Sequence, residues 1–275
     1  MIIPLFHVDA FTDRPFSGNP AAVCVLPSWP ADGWLQSVAR EMNLSETAFI
    51  VKKADEFDLR WLTPTVEVDL CGHATLASAH VLWQQKRAAP DEDIRFSTRS
   101  GILKASRRGD QIELDFPLKP DQEAQSPPGL VEALGVSPKY VGKNQFDYLV
   151  EVESEAVLRS VAPDFKRLAK VPVRGVIITS RSADPKFDFV SRFFAPASGV
   201  DEDPVTGSAH SCLGEFWRRR LGKSEFLAYQ ASARGGVIRV RVSKDRAFLG
   251  GKAVIIAQGE VLVGTEEESA RRGWR

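Results

Sequence analysis

A constant spacing ties together two halves of this 275-residue chain. The stretch "ADEFDLRWLTP" (54–64) is echoed by "ADPKFDFVSRFFAP" (183–196), where Arg60, Trp61 and Pro64 match Arg192, Phe193 and Pro196 at an offset of 132. Each stretch runs into a glycine that opens a helix. "CGHATLASAHVLW" faces "TGSAHSCLGEFW" with Gly72 over Gly207 at an offset of 135, so three extra residues precede the second helix. Beyond it Ser97, Arg99 and Gly101 lie over Ser232, Arg234 and Gly236, and Asp110 and Leu114 over Asp245 and Leu249, again at 135. A shared dipeptide carries little information. An offset held across about forty positions makes two copies of one plan the simplest account, and a repeat of that size constrains the whole fold.

Runs rich in β-branched and aromatic residues read as strands, among them "LFHVDAF", "AAVCVL", "TAFIV", "IRFST", "QIELDF", "FDYLVEV", "GVIITS", "FDFVSRFF", "EFLAYQ", "GVIRVRV" and "VIIAQGEVLVG". Helices are expected over 31–42, 72–86 and 206–221, with shorter ones near 128–134 and 154–169. The two glycine-led helices carry few charges until their ends, so each is expected to be wrapped by its own sheet. The fold class is therefore α+β, with two pseudo-symmetric lobes, each a mostly antiparallel or mixed β-sheet around a central α-helix. The N-terminal lobe is expected over 1–118 and the C-terminal lobe over 128–275, with termini free to cross between them. The proline-rich, polar segment of about 116–128 serves as linker.

Lys plus Arg and Asp plus Glu both count 36. No charge excess is left to hold a phosphate backbone or an anionic membrane surface, which argues against nucleic acid and membrane partners. No apolar run approaches the ~18 residues a spanning helix needs, and the N-terminus lacks a basic export signal. Three cysteines cannot all pair, which suits a reducing compartment. The expected location is the cytoplasm.

A helix start exposes unpaired N–H groups and the positive end of its dipole, and glycine there permits close approach of an anion. Gly72 and Gly207 would then form a small-anion clamp, unless they only turn the chain. Side chains of chemical use gather at both junctions: Asp69, Cys71 and His73 at the first, and Asp203, Thr206, Ser208 and His210 at the second. His73 can cap or face solvent, hold a substrate acid, or move a proton. Asp203, before a proline, fits an Asx turn as well as a site residue. Ser208 lacks the order of partners a hydrolase nucleophile needs and reads as a binder. His80 and His210 fall in apolar helices and read as interior imidazoles. No close His/Cys/Asp/Glu spacing suggests a metal, and "SGNPAAV" lacks the lysine of a phosphate loop.

Taken in order, "VDAFTDRPFSGNPAAV", "SETAFI", "LRWLTPTVEVDLCGHATLASAHVL", "EDPVTGSAHSCLGEFW" and "YQASARGGVIRV" resemble the phenazine-biosynthesis PhzF-like family. That resemblance implies the diaminopimelate epimerase-like fold, a cofactor-independent isomerase, a small carboxylate substrate and a homodimer. It carries the catalytic roles onto Glu46, His73 and Asp203, and places Asn19, Gly72, Gly207 and Ser208 around the substrate. A dihydro-hydroxyanthranilate is one candidate substrate. Related racemases use two thiols, one before each helix glycine. Here Cys71 fills the first position, where a helix start can lower a thiol pKa, and Thr206 the second, which disfavours a two-base racemase. A catalytically silent binding or regulatory protein is the third reading, and the intact set of Glu46, His73, Asp203 and Ser208 argues against it.

Overall fold

The computed structural model describes residues 2–262; the outer ends of the two expected lobes, Met1 and positions 263–275, lie outside the described residues. The chain begins with β1 (Ile2–Ala10), β2 (Asn19–Leu26), α1 (Asp32–Met42), β3 (Glu46–Lys52), β4 (Phe57–Leu62) and β5 (Glu67–Val68). It continues through α2 (Gly72–Gln84), β6 (Ile94–Thr98), β7 (Gly101–Arg108), β8 (Gln111–Pro117) and β9 (Gln122–Glu123). The second half runs α3 (Leu130–Leu134), β10 (Tyr140–Lys143), β11 (Asp147–Glu151), α4 (Glu155–Ser160), α5 (Phe165–Leu168), β12 (Gly175–Arg181) and β13 (Phe189–Phe194). After a 3₁₀ turn (Pro196–Ser198) come α6 (Gly207–Leu221), β14 (Glu225–Gln230), β15 (Gly236–Ser243), β16 (Arg246–Gly251) and β17 (Ala253–Leu262).

The same series of pairings occurs twice. β2–β3 is parallel, β3–β4 antiparallel and β4–β6 parallel, followed by antiparallel β6–β7 and β7–β8. β11–β12, β12–β13, β13–β14, β14–β15 and β15–β16 follow the identical order. A parallel step requires a crossover, and α2 and α6 supply it between β4 and β6 and between β13 and β14. Being wrapped, both crossover helices are buried on nearly all sides over most of their length. Ala74, Leu76, Ala77, Val81 and Leu82 of α2 share one core with Leu213, Phe216 and Trp217 of α6. The fold is α+β, two pseudo-symmetric lobes around two buried helices.

The offset read from the sequence also locates the symmetry axis. β8 and β16 pair antiparallel with Leu114 directly opposite Leu249, the same two residues matched at 135. Only a pair on the axis can face its own counterpart. Ion pairs repeat as well: the Arg60 guanidinium forks onto Glu67 at 2.8 and 2.6 Å, and Arg192 onto Glu202 at 2.7 and 3.0 Å. The three extra residues of the second copy are taken up by the 3₁₀ turn that precedes Glu202.

Three expectations change in detail. Ser97 lies inside β6 whereas Ser232 lies past the end of β14, so these matched serines are not structural equivalents; the longer β14–β15 loop restores the offset at β15. The helix expected over 154–169 is broken, because Pro163 cannot continue it; Ser154 caps α4 and Asp164 caps α5 separately. Segment 116–128 contains part of β8 and all of β9, and β9 pairs with β10 of the following half. Its counterpart β17 crosses the other way and pairs with β1. No helix among the described residues is long and apolar enough to cross a membrane.

Gly72 and Gly207 meet at the axis, where a Cβ built on either would lie 3.5 Å from the other's Cα. Their missing side chains let two helix starts touch. One methyl fits as an ordinary contact, but two would have to share the gap. Gly72→Ala and Gly207→Ala singly should change stability by less than ~1 kcal/mol, and the double variant should lose about 1–3 kcal/mol by overpacking. Denaturant titration of all three variants checks this; additive, near-neutral effects would disprove the shared gap.

Candidate active site

The strand starts on either side of the axis deliver the site. Gly18, at φ +68°, turns the chain into β2; a Cβ there would lie 2.1 Å from the Ala10 carbonyl oxygen, so only glycine makes this turn. Asn19 follows at the first position of β2, and parallel pairing sets Glu46, the first residue of β3, opposite Ala21. α2 then brings Cys71 and His73 to the same place. The His73 Nε2 atom lies 3.3 Å from the Glu46 carboxylate, and Nδ1 lies 3.5 Å from the Cys71 sulfur.

From the second lobe comes Asp203, held by three neighbours. Asn19 Nδ2 donates to its Oδ1 at 2.8 Å, the Thr206 hydroxyl donates to its Oδ2, and Gln230 Nε2 donates to its backbone carbonyl at 2.7 Å. Gln230 also accepts from the Thr206 N–H at 2.9 Å. Because Thr206 spends its hydroxyl on Asp203, it does not cap α6; Cys71 likewise gives α2 no side-chain cap. The short helices α4 and α5 have their caps. Both uncapped starts lie at the axis, where their first-turn N–H groups can meet negative charge.

Burial sets the proton affinities. Glu46 is pushed up to about 8, first by desolvation and then by the Asp203 charge, with a Cys71 hydrogen bond acting the other way. Desolvation also raises Asp203 to about 6 against the Thr206 and Asn19 hydrogen bonds and the Arg174 charge. Burial holds His73 down to about 3, so its imidazole is neutral. The sequence expectation that a helix start could lower the Cys71 pKa is corrected: desolvation and then the Glu46 charge push the thiol well above 9.0, outweighing the Ala74 N–H. A thiol of that kind is neither a ready base nor a ready nucleophile.

The site residues expected from sequence thus fall into two touching groups: Glu46, Cys71 and His73, and Asn19, Asp203 and Thr206. The Asp203 charge links them. Gly72 and Gly207 lie between. Ser208 is in neither group, since its hydroxyl accepts from Arg174 Nη2 at 3.0 Å. His210 is the satisfied interior imidazole expected, 2.8 Å from the Thr206 carbonyl. Sequence reading missed Gln230, whose only signal was its place in "YQASARGG", and Arg174, which carried none. It also missed that Glu46, Cys71 and His73 place ligand-type atoms within 4.8 Å of one another. That spacing would admit a metal ion, yet the ring turns Nδ1 toward Cys71 and Nε2 toward Glu46. An ion held by all three would take one of these nitrogens and leave the other to its neighbour. Buried polar atoms without hydrogen-bond partners include Asn19 Oδ1 and His73 Nε2, the latter 3.3 Å from the Glu46 carboxylate.

Comparison with known proteins agrees with the fold. The family described as phenazine biosynthesis-like protein matches residues 8–259. A Halalkalibacterium halodurans protein named an uncharacterized isomerase is 54% identical over 264 residues, covering 96% of this chain and all of that one. The crystal structure of a PhzF-family protein from Enterococcus faecalis superposes with a TM-score of 0.91 at 39% identity, covering 96% of this chain and 100% of that chain. A hydroxyproline epimerase from Agrobacterium vitis shares the fold at 14% identity, with a TM-score of 0.62 over 97% of this chain and 94% of its own. The fold and the paired helix starts define a protein of the epimerase and racemase architecture. Within it the chain belongs to the phenazine-biosynthesis-like family, whose similar members carry the name isomerase.

Proposed function

We propose that the protein is a cofactor-independent isomerase that moves a proton on a small cyclic or amino/hydroxy carboxylate bound between the lobes. The observation that carries this reading is the Glu46 carboxylate, pushed up to about 8 and set 3.3 Å from a neutral imidazole. A base is most effective when its pKa lies near the working pH, where it can both take a proton and return it. A two-base racemase needs a second base across the substrate. The position equivalent to Cys71 holds Thr206, engaged with Asp203, and Cys71 itself is a high-pKa thiol. One base remains.

In this reading Glu46 removes a proton next to a carboxylate or conjugated carbonyl and returns it at another atom on the same face. The uncapped N–H groups at Gly72 and Gly207 and the His73 ring meet the developing negative charge. Asn19 and Asp203 orient substrate polar groups, Thr206 and Gln230 hold Asp203 in place, and Ser208 binds substrate at the first turn of α6. Isomerisation of a dihydro-hydroxyanthranilate in D₂O, followed by mass spectrometry and NMR, tests the shuttle. Partial retention of the original proton at the new position is expected; turnover that persists without Glu46 would reject a single shuttling carboxylate.

A homodimer is part of the proposal, and light scattering at micromolar concentration should return a dimer mass. A monomer mass would remove it without touching the site chemistry.

A further inference from the structure

The two-fold relation gives Glu46 a counterpart. Thr47 on β3 pairs with Leu62, and Val176 on β12 pairs with Phe194. Leu62 and Phe194 stand one place beyond the matched pair Trp61 and Phe193. Gly175 therefore occupies the position of Glu46, and Arg174 precedes it. The contacts correspond as well. His73, second residue of α2, lies 3.3 Å from the Glu46 carboxylate; Ser208, second residue of α6, lies 3.0 Å from the Arg174 guanidinium. One lobe sets a carboxylate against the first turn of its crossover helix, and the other sets a cation there.

Arg174 is firmly placed. Its Nε donates to Asp147 at 2.9 Å and its Nη2 to the other oxygen of the same carboxylate, and its guanidinium lies 5.2 Å and 5.6 Å from the Phe146 and Phe193 ring centres. Asp147 is 1% exposed. Stability alone is a poor account of the arrangement, because desolvating the Asp147 charge offsets much of what the ion pair gains. A cation beside a helix N-terminus also stands against the helix dipole. Among the described residues Nη1 has no partner, and the side chain remains 39% exposed. A bound anion would satisfy both the guanidinium and the uncapped first turn of α6.

We propose that Arg174 receives an anionic group of the substrate opposite Glu46 and is the residue that selects a charged carboxylate over its neutral analogues. The inference rests on the isomerase reading for the existence of a substrate between the lobes. Neutralising a carboxylate on that side would also make the neighbouring C–H easier for Glu46 to deprotonate.

Calorimetry with anthranilate and its uncharged amide, anthranilamide, measures the selection directly. Arg174→Met alone would strand Asp147 as a buried unpaired charge and could unfold the chain, so the decisive variant is the double substitution Asp147→Asn, Arg174→Met, which removes both partners. Wild type should bind the carboxylate at least tenfold tighter than the amide. The folded double variant should bind the carboxylate ~10–100-fold more weakly, with the amide unchanged, and Arg174→Lys should recover part of the loss. An unchanged carboxylate-to-amide ratio in the double variant would overturn the inference, as would a wild type that fails to discriminate or binds neither. Failure of the isomerase reading registers separately: wild type would then isomerise none of the candidate carboxylates while the Arg174-dependent binding ratio persists.

Discussion

Glu46→Gln is expected to lower turnover by about 10²- to 10⁴-fold, the usual contribution of a general base, while substrate affinity stays within a few-fold. The substitution keeps the shape of the side chain and removes only its ability to accept a proton. Nothing nearby can replace it. His73, held down to about 3, is too weak a base at neutral pH, and Asp203 is engaged by Asn19 and Thr206. Cys71 is the one rival, and its thiol is held far above 9.0 by burial and by Glu46 itself. Cys71→Ser should therefore retain activity within about tenfold, since general-base loss would cost far more. Steady-state kinetics on the pair decide the matter. An inactive Cys71→Ser beside an active Glu46→Gln would establish thiol chemistry in place of the carboxylate shuttle.

The legible and illegible parts of the molecule differ for physical reasons. The offset of 135 matched Leu114 with Leu249 as copies, and the fold sets them face to face across the axis, because a strand pairing that joins equivalent strands must bring some residue against its own counterpart. The glycine-led helices were legible because wrapping by a sheet demands apolar residues on nearly every side. β7 was not among the strand-like runs, since Lys104, Arg107 and Arg108 place exposed charges on both of its faces. β16 was hidden by Gly250 and Gly251; a Cβ on Gly251 would lie 2.4 Å from the Phe11 ring, a constraint set by a residue far away in sequence. Glu46 came from family resemblance alone, because a glutamate before "TAFIV" looks like an edge charge until β2 and α2 are folded over it. The Cys71 thiol shows the opposite failure. A helix start was the visible local cause, and burial, joined by a carboxylate 25 positions earlier, outweighed it. Local motifs report backbone geometry well, and charge environments, which long-range folding assembles, poorly.

Glu46→Gln should also be more stable than wild type at pH 9 and lose that advantage toward pH 5. The folded pKa of Glu46 is raised from 4.5 to about 8, so the folded chain holds this proton more tightly than the unfolded chain does. Its contribution to stability is complete below the unfolded value of 4.5 and is lost as pH rises through about 8. Above that point wild type carries a desolvated carboxylate beside Asp203, and glutamine carries none. The difference should approach about 3–5 kcal/mol at alkaline pH. His73, whose depressed pKa lowers stability as the solution is acidified from 6.5 toward 3, is present in both proteins and largely cancels in the comparison. Asp203→Asn provides the control. Removing the second-ranked cause of the shift should bring the Glu46 pKa down, so the pH at which wild-type stability falls should move lower. Chemical denaturation at half-unit steps from pH 5 to 9 measures all three proteins. A Glu46→Gln difference that stays constant across the range would mean that Glu46 is not held protonated by its surroundings, and the same result would withdraw the physical basis for its taking and returning a proton near neutrality.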